Sequence, residues 1–372
     1  MDNASTTFPK PKCVIDAMAN YLLYNGSNSL RGESKYTFQT EEAINTTRED
    51  ITALVNFPHD ANLLFTLNIT TALNTIIRSF KAGEDEVLIS PMEHNAVMRP
   101  LTEYGIKYHQ LEADKDGRVY PESIRSFKDN KRVKALIIQA ASNINGCTQD
   151  ISSLSAEAHK IGLFVILDTA QALPYIDIDM SKDKIDCLCF TGHKGLLGPQ
   201  GTGGFITSEE FSKHISLLTA GGTGSLSASL SMPTFLPDRF EAGTQNIPGI
   251  IGLGSAIKYV RENLNEIRRK SEEKTNLLIA KLKEAGVEKI YNADRRIPVV
   301  SIDIEDRDIS ELANYLEEKN IQTRCGLHCA PLAHQHLSSF PKGLLRLSHS
   351  SLTSDEDIII TALEIGRFLK SK

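Results

Sequence analysis

Lys194 lies in Phe190-Thr191-Gly192-His193-Lys194-Gly195, directly after an apolar run with the composition of a buried strand. Lysines in glycine-flanked loops are mostly solvated turn residues. Here the strand end, the neighbouring Thr191 and His193, and the glycines at 195, 198, 201, 203 and 204 set the segment apart, because backbone without Cβ atoms lets a ligand come close. A lysine partly desolvated in such a place forms an imine with an aldehyde. In Val165-Ile166-Leu167-Asp168-Thr169-Ala170-Gln171 a second apolar run delivers a carboxylate at its end, 26 residues before the lysine. Taken alone, Asp168 also reads as a helix cap. Paired with Lys194, it is suited to hold the proton on a pyridine-type ring nitrogen, with Gln171 donating to a phenolic oxygen. The third segment is Arg324-Cys325-Gly326-Leu327-His328-Cys329-Ala330-Pro331. Most cysteines are inert core residues, but a thiol in a Gly- and Pro-punctuated loop beside a histidine and near an arginine is expected to ionise below the free thiol's pKa of about 8.5.

Seven β-rich apolar runs position these groups: Leu63 to Thr66, Glu86 to Ser90, Lys107 to Leu111, Ala135 to Ala140, Leu163 to Asp168, Asp186 to Phe190 and Gly204 to Thr207. Most are separated by helix-length segments, which predicts a mainly parallel sheet covered on both faces, with ligands gathered beyond the carboxyl ends of the strands. From Ile250 to Leu282 apolar positions recur three and four apart, predicting a long helix that leaves the large domain. Val299 to Ile304 is strand-like, Ile309, Leu312, Ala313 and Leu316 mark one helix face, and Ile321 to Arg324 reads as a short strand. Thr353 and Glu356 have the spacing of a capping box opening a last helix, Asp357 to Leu369. The expected fold is α/β: a large domain over 16–261 with a mainly parallel seven-stranded sheet, and a smaller α+β domain over 262–372 joined by residues 1–15.

The chain has 372 residues, with 41 basic and 47 acidic side chains and a formal charge of −6, which argues against a nucleic-acid binder built on a basic surface. A small polar substrate or a protein partner fits that charge better. No apolar stretch approaches the roughly 20 residues of a membrane span, and the opening residues carry no basic-then-apolar signal pattern, so a cytoplasmic location is expected. The six cysteines (13, 147, 187, 189, 325 and 329) form no paired framework and are expected to be free thiols. Cys325 and Cys329 flank His328, with His334 and His336 beyond, but no second ligand pair at matching spacing follows, and no metal is expected.

D-x-A-Q at Asp168, T-G-H-K ending at Lys194 and R-F-E-A-G-T ending at Thr244 occur in an order and at distances similar to those of the class V aminotransferase family of fold-type I pyridoxal-phosphate enzymes, and the opening Asp2-Asn3-Ala4-Ser5-Thr6-Thr7 resembles that family's D-N-A-A-T-T. Within the family the chain looks most like the cysteine desulfurases and selenocysteine lyases of the Suf-like subgroup. The resemblance implies pyridoxal 5′-phosphate held by Lys194 as a Schiff base, with Asp168 and Gln171 on the ring, Thr191 and His193 near the phosphate, and His94, in Met92-Glu93-His94-Asn95-Ala96, stacked on the ring as a catalytic residue that shuttles protons. It implies that Asn143 contacts cofactor and substrate. Thr70 and Thr71 open the helical run Ala72 to Phe80, and local sequence allows either a phosphate site or a simple cap. Ile69 stands where the family often has glycine. Thr244 matches a threonine that reaches the phosphate of a partner subunit, which implies an obligate homodimer.

The subgroup pattern R-x-G-H-H-C-A places its nucleophilic cysteine on Cys329, with Leu327 in place of the first histidine and Cys325 at a variable position. The resemblance therefore implies conversion of L-cysteine to L-alanine, with a persulfide left on Cys329 for a protein sulfur acceptor. Arg346, in Leu345-Arg346-Leu347-Ser348, is expected to pair with the substrate carboxylate, assisted by Arg324, and Arg31 resembles an arginine at the substrate mouth. The alternatives are a selenocysteine lyase acting on L-selenocysteine, an aminotransferase or β-lyase of the same family, and a silent scaffold on the same fold.

Overall fold

The computed structural model describes residues 1–28, 34–305 and 307–371. Arg31 lies outside the described residues. The seven expected strands are present as β1 (Leu63–Thr66), β2 (Glu86–Ile89), β3 (Lys107–Gln110), β4 (Val133–Gln139), β5 (Phe164–Asp168), β6 (Cys187–Thr191) and β7 (Gly203–Thr207). They form one sheet in the order β1-β7-β6-β5-β4-β2-β3. Only β7 runs against its neighbours, pairing antiparallel with both β6 and β1. Alternate residues feed two separate cores. Leu136 and Ile138 of β4, Val165 and Leu167 of β5, and Leu188 and Phe190 of β6 face one, while Ala135, Ile137, Ile166, Cys187 and Cys189 face the other. Burial on both faces is why these strands read as nearly unbroken apolar runs.

A second sheet holds β8 (Lys289–Tyr291), β9 (Val299–Asp303), β10 (Arg324–Gly326) and β11 (Leu344–Ser348), antiparallel throughout in the order β10-β11-β9-β8. Its core joins Val300, Ile302, Leu345 and Leu347 to Leu312 and Leu316 of the helix Ile309–Glu318 and to Ile358 and Ile365 of the helix Asp355–Lys370. The N-terminus adds an edge contact, with Asp2 bridged in parallel to Ser348.

Three local expectations shift. The helical run is two helices, Ile247–Glu262 and Leu264–Glu284, broken at Asn263 (φ −118°, ψ 16°). There the Asn263 side-chain amide donates to the Tyr259 carbonyl at 2.8 Å, giving the backbone an alternative to continuing the helix. The short strand is Arg324–Gly326 rather than Ile321 to Arg324, because pairing with β11 starts only at Arg324. The capping box moves one residue on: Ser354 Oγ accepts from the Asp357 N–H, and the Asp357 carboxylate accepts from the Ser354 N–H. Thr353 instead accepts from the Ser350 N–H.

Candidate active site

At the carboxyl ends of β1, β2, β4, β5 and β6 an open cavity is lined by Asn68, Thr70, His94, Asn143, Asp168, Gln171, Thr191, His193 and Lys194. These residues sit at or just after strand ends, where parallel packing leaves loops converging on one rim. β5 ends on Asp168, whose Oδ1 accepts from the Ala170 N–H at 2.8 Å. Burial pushes this carboxyl up, while the Ala170 N–H and the Lys194 ammonium pull it back. β6 ends on Thr191, and the following turn carries Lys194. Burial lowers Lys194 to about 8; Asp168 and Cys329 oppose that shift, whereas Arg346 and Arg324 reinforce it. At pH 7 roughly one lysine in ten is then a neutral amine, against fewer than one in a thousand for an ordinary lysine.

His94 caps the helix Asn95–Glu103 through Nδ1, which accepts from the Ala96 N–H at 3.0 Å. Nδ1 being an acceptor, the neutral ring carries its proton on Nε2. Burial first, then Lys194, Arg324 and Arg346, depress its pKa to about 3. Burial likewise lowers His193 to about 4. Gln171 reaches across the chain to donate to the Ala4 carbonyl at 3.0 Å. Asn143 donates to the His328 carbonyl at 2.9 Å, while its Oδ1 and the Nδ1 of His193 are buried without a partner.

Thr70 and Thr71 part company. The helix Ile69–Ile77 starts behind Asn68, whose Oδ1 accepts from both the N–H and the hydroxyl of Thr71. Thr71 is thus engaged by the cap and does not line the cavity, whereas Thr70 does. Ile69 occupies the first helical position with ordinary helical backbone and a buried side chain, so no glycine is needed there. Thr244 is exposed, just ahead of the helix Ile247–Glu262, and does not line the cavity of its own chain.

The C-terminal sheet brings the thiol to this rim. Cys329 accepts through its carbonyl from the Asn95 N–H at 2.7 Å, one residue from His94. The Ala330 N–H bonds the Leu327 carbonyl at 2.9 Å, closing a tight turn whose central residues, His328 (φ 49°) and Cys329 (φ 56°), are both left-handed. Two positive φ values across such a bond define a type I′ turn, which usually takes Asn-Gly. Each non-glycine residue there costs roughly 1–3 kcal/mol, and that cost must be offset by the contacts around it. Arg324 and Arg346 face each other across β10 and β11. Arg324 donates to Cys329 Sγ at 3.6 Å and to Ser5 Oγ at 3.2 Å. Arg346, 1% exposed, donates from Nη2 to Asp2 and Ser5, both at 2.8 Å, and its Nε is buried without a partner. Cys325 packs on the small-sheet core instead, and burial raises its thiol pKa. Among the described residues no group of three or more His, Cys, Asp or Glu side chains is placed to hold a metal.

Sequence reasoning missed Asp2 and Ser5 as supports of the two arginines, and it missed Glu93. That residue is fully buried between the ends of β2 and β4, where its Oε1 accepts from Ser90 Oγ at 2.6 Å and the Gln139 N–H at 3.0 Å. Burial pushes Glu93 up to about 8. The only available signal was a charged residue directly after an apolar strand.

This sheet order, with Asp168 and Lys194 on successive strand ends and a small antiparallel lobe, is the fold of the type I pyridoxal-phosphate enzymes. The family model for aminotransferase class V matches residues 1–360, and the chain belongs to that family. A probable cysteine desulfurase of Methanothermobacter thermautotrophicus is 31% identical over 96% of this chain and 91% of its own length. A cysteine desulfurase of Escherichia coli is 28% identical over 98% and 92%. The apo structure of a cysteine desulfurase from Thermococcus onnurineus superposes with a TM-score of 0.89 at 26% identity, covering 99% of this chain and 94% of that one. No helix of the described residues is long and apolar enough to cross a membrane.

Proposed function

We propose that this chain is a pyridoxal-phosphate-dependent cysteine desulfurase that converts L-cysteine to L-alanine and carries the sulfur away on Cys329. The observation that supports it most is the docking of the thiol loop on the lysine cavity, through the Asn95 N–H to Cys329 carbonyl bond and the Asn143 amide to His328 carbonyl bond. A thiol so placed has no use in simple transamination.

The residues present fit the cofactor. The buried, unpartnered atoms of Asn143 and His193 suit a ligand rich in acceptors and donors, and Thr70 sits at a helix N-terminus that favours an anion. Pyridoxal 5′-phosphate, when bound, supplies an aldehyde for an amine and a ring that accepts an electron pair. Lys194 would hold it, with Asp168 and Gln171 on the ring and Thr70, Thr191 and His193 toward the phosphate. The lowered pKa of Lys194 keeps a working fraction of neutral amine, able to take the substrate's α-proton. Arg346 has an unpartnered Nε and binds the substrate carboxylate, while Asp2 and Ser5 hold its plane. Arg324, bonded to Sγ, orients the thiol. In the transfer the Cys329 thiolate forms an S–S bond to the substrate sulfur, the substrate C–S bond breaks with its electron pair left on carbon, and carbon takes a proton to give alanine.

The reading includes a homodimer and two lobes, residues 16–261 and residues 262–372 with 1–15. Leu22, Leu23, Tyr24 and Phe38 are 63%, 70%, 74% and 59% exposed, an apolar group that a second copy would cover. Thr244, exposed and outside its own cavity, would serve the partner's phosphate. The deciding experiment is mass spectrometry of the holoenzyme after exposure to L-cysteine. One added sulfur on Cys329, absent in Cys329→Ala along with alanine release, is expected; full alanine production by Cys329→Ala would replace this reading with an enzyme of the same family that frees the sulfur without a covalent persulfide, and pyruvate in place of alanine would mark a β-lyase.

A further inference from the structure

Behind the reactive turn runs a buried chain of side chains that the desulfurase reading leaves unused. His328 Nε2 lies 3.0 Å from the Arg324 carbonyl, its Nδ1 lies 3.4 Å from His334 Nε2, and His334 Nδ1 lies 2.8 Å from Ser339 Oγ. The rings stack with centroids 5.6 Å apart and planes 18° from parallel. All three residues are buried, His334 completely. One end of the chain fixes the rest. A carbonyl only accepts, so His328 carries its proton on Nε2 and offers a lone pair at Nδ1; His334 must then donate from Nε2, and its Nδ1 accepts from the Ser339 hydroxyl. Burial keeps both rings neutral, lowering His328 to about 3 and His334 to about 4. Donation thus runs from Ser339 through His334 and His328 to the Arg324 carbonyl, and the same Arg324 donates its guanidinium to Cys329 Sγ.

The chain ends on a strained element. His328 and Cys329 occupy the two left-handed positions of the turn, and neither is a residue type that favours them as glycine does. The helix Pro331–His336 leaves the turn directly and carries His334 back beneath it, so the donor and the strained residues belong to one short stretch of chain.

We infer that His334 is a positioning residue which, through His328, holds the Cys329 thiol in its left-handed turn facing the lysine cavity. The inference rests on the desulfurase reading and deepens it.

The test uses the holoenzyme with His334→Leu, which removes the donor, His334→Gln, which returns an amide N–H near the position of Nε2, and Ser339→Ala, which removes the outer link. Two readouts are taken: kcat and KM for alanine formation from L-cysteine, and the rate at which iodoacetamide labels Cys329, followed by mass spectrometry. His334→Leu is expected to lower kcat about tenfold, the scale of one buried acceptor losing its donor. KM should stay within about twofold, the labelling rate should change, and His334→Gln should recover most of both. Wild-type kcat and labelling in His334→Leu overturn the inference, as does equal damage from Leu and Gln, which is the mark of packing alone. If His334→Leu does not fold, Ser339→Ala decides: a several-fold loss supports the chain and wild-type behaviour overturns it. Absence of sulfur on Cys329 in the wild type defeats the desulfurase reading itself, whereas the labelling comparison needs no turnover and still judges the role of His334.

Discussion

Glu93→Gln is a nearly isosteric change at a fully buried carboxyl that joins the ends of β2 and β4. The amide keeps an oxygen to accept from Ser90 and the Gln139 N–H, so the contacts survive while the titration is lost. In the native chain Glu93 keeps its proton up to about 8, against an ordinary 4.5. Between those values the native state binds a proton that the unfolded chain has released, so this group makes stability fall as pH rises through that window. At 1.36 kcal/mol per factor of ten the full gap is worth on the order of 5 kcal/mol, most of which falls between pH 5 and pH 8. Relative to the wild type, Glu93→Gln is therefore expected to gain stability steadily across that range, reaching a difference of a few kcal/mol at pH 8. Urea unfolding of both proteins at pH 5, 6.5 and 8, followed by fluorescence and circular dichroism, reads the difference directly. Parallel stability curves across the range would refute the reasoning, because they would mean that Glu93 ionises alike in the folded and unfolded chains.

Arg346→Lys loses the planar fork and is expected to cut kcat/KM for L-cysteine roughly 10- to 100-fold, mostly through KM, in steady-state assays of alanine formation. Lys194→Ala and Thr244→Ala should each be nearly inactive alone. Mixed and allowed to exchange subunits, they should regain activity, because one of the two shared sites then holds both native residues; no recovery despite exchange would remove Thr244 from the partner's site. Cys325→Ser should leave alanine formation and sulfur loading of Cys329 within about twofold, since Cys325 packs on the small-sheet core; a large loss would give it a part in sulfur relay.

The placement of Asp168 and Lys194 at strand ends was legible because it is local. Asp168 and Lys194 follow apolar runs whose burial on both faces leaves a plain mark in composition, and parallel strands always send such residues to one rim. The shifts at Asn263 and Ser354 were errors of boundary, where a side chain that bonds nearby backbone outweighs periodicity. Thr71 illustrates a different limit: its hydroxyl suggested an anion site, but the neighbouring Asn68 takes both of its donors, a competition that only coordinates resolve.

The order of residues by itself determined the seven strands of the large sheet and which side chains stand at their ends, since periodicity and strand ends act over a few residues. Only the tertiary structure decided which groups meet. Asp2 and Ser5 reach Arg346 across more than 340 residues, the Cys329 turn settles on Asn95, and Glu93 is sealed between two strand ends. These contacts depend on burial and on the pairing of distant segments, and neither exists until the chain has folded.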